Sequence, residues 1–382
     1  TAAWLQIAGP LLFHRQPESR ACFAPDPAQP PQAGDWFHIP HIAQSLELIA
    51  REGARAFYQG EIASTFASAM RQMGGVVERE DLAAYRPALR RPLILRSRGF
   101  ELALNPPPAV GGVALGSLIG LLALEGIGAE GMDLTPPSAA ALHPAARADE
   151  ALRARRHALA QNALYGIRRQ ALAQTPLDRQ WVHALMEPDH LRRELRASGC
   201  ASTTHISVAT PEGELVAVTL SNGYGSGITI PGTGIACNNS LGEPELNPAG
   251  LMAASAGSRL VSNMAPSIAR HGDGHAFAFG SPGASRITTA MAQVWERHTG
   301  EDMALAEAIA APRLHINAEA DPVRLLCEPG IDTSLLEKDF HVERFEAPNM
   351  YFGGIKLAGI DRRGDLQAYA DGRREGCVTI VE

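Results

Sequence analysis

Apolar residues recur along the chain with periods that separate helical from extended segments. Ile42, Leu46 and Ile49 follow His41 at helical spacing, which predicts a helix with one apolar face. A second helix is predicted over residues 61–73, stopping at Gly74-Gly75, a strong C-terminal signal. Residues 93–104 read as two short strands broken at Arg98-Gly99. The run 109–124 is the most apolar and follows Asn105-Pro106-Pro107-Pro108. It is short for a bilayer span and reads as a buried helix beginning near Gly112.

Residues 1–35 are rich in proline and alanine and predict an irregular surface segment, and 126–142 read as a linker. A long helix is expected over 145–167, with Arg153, Arg155 and Arg156 as its solvated face, and another over 177–196. The period then changes to two. Residues 204–210 and 215–221 alternate on either side of Pro211-Glu212-Gly213, which predicts a hairpin. One face carries Ile206, Val208, Val216, Val218 and Leu220. The other carries Thr203, His205, Ser207, Thr219 and Ser221. With many hydroxyls and few charges, that second face is expected to line a polar pocket. A strand at 276–279 and a helix marked by Ile287, Met291 and Val294 follow. Further strands are predicted at 323–327, 341–345, 351–360 and 366–370.

Composition narrows the function. The chain has 382 residues, 45% hydrophobic and 20% charged, enough to bury a large core in one or two domains. A net charge of -7 and the absence of basic runs interleaved with aromatics argue against a nucleic-acid surface. The five cysteines are far apart and show no CxxC spacing, so neither a disulfide framework nor a zinc site is indicated. His38 and His41 have no acidic or cysteine partner at ligand spacing and read as structural or solvent-facing. The glycine-rich run 222–227 is followed by Ile228-Thr229-Ile230-Pro231 instead of a helix, which argues against a dinucleotide loop. No cofactor, metal or membrane partner is predicted. The chain starts at Thr1 without an initiator methionine or a visible signal peptide, and the start reads as mid-domain.

Six motifs in order carry a resemblance: GEIASTFASAMRQMGGVVEREDLAAYRP from 60, NPPPAVGGVAL from 105, TTHISV from 203, NNSLGE from 238, LVSNMAPSI from 260 and GSPGASRI from 280, with APRLHI from 311 behind them. Together they resemble the γ-glutamyltranspeptidases, from the later part of the large subunit through the small subunit. The resemblance implies a four-layer αββα sandwich of the N-terminal-nucleophile hydrolase type, an α/β fold here missing the first part of the large subunit. Residues 1–202 would be the large-subunit region, mostly helical, and 203–382 the small-subunit region. The two would be parts of one composite domain and would stay associated after self-cleavage before Thr203.

The same resemblance assigns roles. Thr203 is the nucleophile, and the amides of Gly283 and Ala284 form the oxyanion hole. Ser221 and Asn222 stand near the family's Thr-x-Asn positions, with a strand end two residues shorter. Glu243 falls at the acidic position that holds the substrate's α-ammonium group, and Ser240 replaces the usual glutamine or glutamate. Ser262 and Asn263 match the paired serines that hold the α-carboxylate. Residues 246–258 are short where better-known members carry a tyrosine-bearing lid, which implies a more open pocket. The donor would be a small γ-glutamyl compound and the acceptor water or an amine; the compartment is unassigned, although the family is often periplasmic or extracellular. Two alternatives stay open: an acylase for glutaryl-like amides, and a non-catalytic homologue or fragment. A threonine pair opening a strand is also ordinary β-sequence.

Overall fold

A computed structural model describes residues 16–23, 34–36, 38–123, 150–173, 203–223, 225–243, 246, 255–317 and 322–381. The chain divides into two compact units, one formed by Thr1–Arg90 with Asn222–Ser240 and the other by Arg91–Ser221 with Leu241–Glu382. The linker and helix expected at 126–142 and 177–196 lie outside the described residues.

Among the described residues the smaller unit contains five helices, α1 (Pro17–Phe23), α2 (Ile42–Glu52), α3 (Ala54–Tyr58), α4 (Glu61–Gln72) and α5 (Arg79–Ala84). The helix expected after His41 is α2, and α4 ends beside Gly74 at φ +76°, as its glycine pair predicts. The irregular segment expected at the N-terminus instead holds α1, which buries Ser19 and Cys22. Ser19 hydroxyl bonds Gln16 and Thr229 and so fixes this short helix. His38 and His41 are solvent-exposed.

The larger unit is organised by a six-stranded antiparallel sheet in the order β1-β2-β7-β8-β12-β13. Its strands are β1 (Leu93–Ser97), β2 (Phe100–Leu104), β7 (Ser267–His271), β8 (Ala276–Gly280), β12 (Lys356–Ile360) and β13 (Leu366–Ala370). The β1–β2 connection is Arg98-Gly99, both at positive φ (52° and 80°), as a twisted two-residue hairpin requires. One face carries Leu102, Phe277, Phe279 and Leu357, and packs on α6 (Val110–Ala123) and α8 (Arg286–Trp295). Trp295 of α8 stacks on Phe279 with ring centroids 6.3 Å apart.

The opposite face carries Ala278, Gly280, Lys356 and Ala358. It is covered by a two-stranded sheet, β3 (Thr204–Ala209) and β4 (Leu215–Leu220), paired His205 to Thr219 and Ser207 to Ala217. A small sheet β11-β10-β9 (His341–Arg344, Arg324–Cys327, Leu314–Asn317) packs beside α7 (Glu150–Ala173). The strands β5 (Thr229–Ile230) and β6 (Ile235–Ala236) belong to the smaller unit, and α9 (Leu305–Ala310) completes the helices.

Three further expectations change. Arg153 and Arg156 are not a solvated face: Arg153 is partly buried against Glu301 and Glu150, and Arg156 against Glu296. The turn following α8 brings Glu296 and Glu301 up to them. The strand expected from 351 begins only at Lys356, because Met350–Phe352 forms a 3-10 turn and Gly353 takes φ +82°. The hydroxyl-rich hairpin face lies against the six-stranded sheet, while Ile206, Val208, Val216, Val218 and Leu220 face outward at 38 to 54% exposure. Among the described residues no helix is long and apolar enough to cross a membrane.

Candidate active site

Two contacts fix how the hairpin lies on the sheet. At its turn, a Cβ built on Gly213 would meet the Ile360 side chain at 3.9 Å, and Arg270 donates to Gly213 carbonyl. At its other end, a Cβ on Gly280 would collide with the His205 ring at 2.3 Å. Gly280 therefore leaves the space the imidazole occupies. The Thr203 end of β3 accordingly points beyond the Gly280 and Lys356 end of the large sheet. Continued alternation places Thr203 on the same inward side as His205. Thr203 itself is half-buried.

His205 is 1% exposed, with Nδ1 2.7 Å from Thr219 Oγ1 and Nε2 2.9 Å from Ser207 Oγ. Ser207 hydroxyl donates to Lys356 carbonyl at 3.1 Å. Having one proton, it can only accept from His205, so the ring carries its hydrogen on Nε2 and Nδ1 accepts from Thr219. Burial, and secondarily the charge of Lys356, push this imidazole down to about 4. It is a neutral strut two residues from Thr203.

Beyond β8 the chain makes the turn 281–285 and enters α8. All five residues are buried. Gly283 takes φ +126° and Ala284 φ +73°. Neither amide N–H donates to a protein acceptor among the described residues. Two consecutive buried donors without partners are unusual, and here they open a helix, where backbone donors and the helix dipole favour negative charge. The alanine at 284 keeps its donor by accepting a left-handed conformation. The turn is braced from one side by Gly354, whose N–H donates to Ser281 Oγ at 3.0 Å. A Cβ on Gly283 would come within 2.9 Å of Gly353 Cα. The Gly353-Gly354 doublet is thus part of the turn's wall, a role its glycine pair alone did not disclose.

The remaining site residues divide. Glu243 is 4% exposed, unlike an ordinary loop glutamate. Ser262 carbonyl accepts from Val110 and Gly111 N–H at the start of α6, and its hydroxyl accepts from Met264 N–H. Asn263 is 7% exposed and its Nδ2 has no hydrogen-bond partner, an uncompensated donor of the kind that marks a ligand position. Ser221 is half-buried at the end of β4. Asn222 and Ser240 belong to the smaller unit: Asn222 carbonyl accepts from Gly225 and Asn239 N–H, and Ser240 N–H donates to Asn238 Oδ1. No cluster of three or more His, Cys, Asp or Glu able to hold a metal occurs among the described residues.

Comparison with known proteins places this architecture. The cephalosporin acylase structure from Bacillus halodurans superposes with a TM-score of 0.77 at 21% identity, covering all of this chain and 70% of that one. The fold is accordingly that of the N-terminal-nucleophile hydrolases, with the hairpin sheet stacked on the large sheet and helices beneath. The acylase ACY 1 proenzyme of Pseudomonas sp. (strain V22) is 29% identical over 392 residues, covering 98% of this chain and 68% of the relative. The glutathione hydrolase proenzyme of Escherichia coli (strain K12) is 29% identical over 349 residues, covering 84% of this chain. The chain spans 58% of that second relative's length. The gamma-glutamyltranspeptidase family profile matches residues 2–381. The chain belongs to the gamma-glutamyltranspeptidase family, a family of hydrolases and acyl transferases.

Proposed function

We propose that Thr203, freed as an N-terminus by cleavage of the Ser202–Thr203 bond, is the nucleophile of a hydrolase or transferase acting on γ-glutamyl amides. The observation that carries the reading is the pair of unpartnered amides at Gly283 and Ala284, lying at the end of the sheet toward which β3 directs Thr203. The freed α-amine, with a pKa of about 8, takes the Oγ proton. Oγ then attacks the γ-amide carbonyl, the two N–H groups receive the developing oxyanion, and the amine leaves with the proton. Water or an acceptor amine resolves the acyl-enzyme by the reverse proton path. Asn263 and Ser262 would hold the donor's carboxylate, Glu243 its ammonium group, and Ser221 would complete the contacts. Residues 1–202 and 203–382 would be the two associated polypeptides of one composite domain.

A second reading, an acylase for glutaryl-like amides, is favoured by Ser240, a weaker partner for an ammonium group than a carboxylate, and by the acylase name of a relative. One experiment tests the core of both. Denaturing electrophoresis of purified protein is expected to give fragments of 202 and 180 residues, and Thr203→Ala a single intact chain that does not turn over a γ-glutamyl anilide. Turnover retained in Thr203→Ala would refute the assignment. An uncleaved and silent parent protein would support the non-catalytic alternative.

A further inference from the structure

Helix α7 lies against α8 and the π-helical turn Glu296–Gly300 that continues it. Gln161 and Gln293 both donate to Leu314 carbonyl, at 3.3 and 3.0 Å. Further along, Arg153 Nε bonds Glu301 at 2.8 Å. These contacts descend α7 as they climb the other segment, so the two run antiparallel. His157 and Arg297, each four residues from both contacts on its own segment, therefore face each other. Arg297 Nη2 donates to Pro312 carbonyl at 2.7 Å, two residues before the carbonyl that the glutamines share. Both side chains are buried, His157 at 2% and Arg297 at 3% exposure. Neither ring nitrogen of His157 has a hydrogen-bond partner among the described residues, and nor has Arg297 Nη1.

The charges around this pair do not cancel. Glu296 is held by Arg98 at 2.9 Å and by Arg156 at 2.5 Å, while Arg153 takes both Glu150 and Glu301. Arg297 is left without an ion pair among the described residues. Burial lowers its pKa, and Glu150 and Glu301 oppose this from beyond ion-pair distance. Burial also holds the His157 imidazole well below its ordinary range, and of the charges near it Arg297 bears on it most, ahead of Arg156 and Arg153. Buried charges are normally paired and buried polar groups normally bonded. An anion between the two side chains would receive a hydrogen bond from each, one of them charge-assisted.

We infer that Arg297 and His157 bind a small monovalent anion, chloride, between α7 and the turn that follows α8. One uncompensated guanidinium calls for one negative charge. An enclosed position between packed helices admits an ion little larger than a water, not an oxyanion with several oxygens to satisfy. The site lies at the far end of α8 from the turn at 283 and 284, so it stands or falls apart from the Thr203 reading. Its anion would tie α7, in residues 1–202, to α8, in residues 203–382.

Thermal unfolding of the purified protein in sodium chloride, against sodium gluconate at equal ionic strength, tests this. Both salts screen surface charges alike, but gluconate is too large to enter. The midpoint is expected to rise with chloride and to saturate, as mass action on a site present only in the folded state requires. Arg297→Met is expected to melt independently of chloride. His157→Leu should weaken chloride about 10-fold or more, the range of a lost hydrogen bond to a charged group, while His157→Gln, which keeps an N–H donor, retains most of the response. Crystals of the parent protein grown in sodium bromide decide the matter even where a variant does not fold: an anomalous bromine peak is expected within hydrogen-bond reach of Arg297 Nη1. Equal midpoints in the two salts, a full chloride response in folded Arg297→Met, or density at that position without a bromine signal, as a buried water would give, overturns the site.

Discussion

Lowering the pH should loosen the β3–β4 hairpin through a single imidazole. His205 is neutral in the fold, where its pKa is about 4, and would titrate near 6.5 in the unfolded chain. Between these values the unfolded state binds the proton and the folded state does not, so stability falls as pH drops below about 6.5 and stops falling below about 4. At pH 5 the unfolded imidazole is almost fully charged and the folded one almost fully neutral. Relative to pH 7 this one residue then costs about 2 kcal/mol. His275 is also pushed down to about 4 by burial, so the parent protein should lose more than this in total. The comparison is therefore with His205→Gln, whose amide can accept from Thr219 and donate to Ser207 but does not titrate. Urea unfolding at pH 7 and pH 5 should show a pH-dependent loss about 2 kcal/mol smaller in the variant. An equal loss in both proteins, or a His205 ring resonance that titrates near pH 6.5, would refute the buried-neutral assignment.

Gly283→Ala places a Cβ 2.9 Å from Gly353 Cα at φ +126°; it is expected to cost about 1–3 kcal/mol of stability, seen as a lower thermal midpoint, and, by displacing a donor, about 100-fold or more in turnover. Ala284→Gly removes the penalty of a left-handed alanine at φ +73°. It should leave turnover in place and raise stability by up to about 1 kcal/mol, measured as a change in urea midpoint.

The elements with a strong period were legible in the sequence. The alternation over 204–210 and 215–221 gave the β3–β4 hairpin, and Ile287, Met291 and Val294 gave α8. What alternation cannot tell is which face turns inward. That depended on whether His205, Ser207 and Thr219 could satisfy one another and on a glycine 75 residues away, at 280, leaving room for a ring. Arg153 and Arg156 were misplaced for a related reason, since their carboxylate partners Glu296 and Glu301 lie more than a hundred residues on. The family motifs located the Gly283-Ala284 turn, but the absence of acceptors for its two amides is a fact of three-dimensional packing.

The inverted hairpin matters for chemistry more than for stability. A sheet that buries an apolar face is held by non-directional contacts, which tolerate small displacements along the strand. This one is held by a chain of directed bonds, Thr219 to His205, His205 to Ser207 and Ser207 to Lys356 carbonyl. Its aliphatic side chains face outward. A slip of one residue would turn His205 outward and bring Ile206 against Gly280, breaking all three bonds at once. It would also carry Thr203 about 3 Å along the strand, which in the proposed reaction is enough to take its hydroxyl out of attack distance from a carbonyl held at the 283–284 amides. The polar face is therefore best understood as the device that sets the register of residue 203 against the turn at 283 and 284.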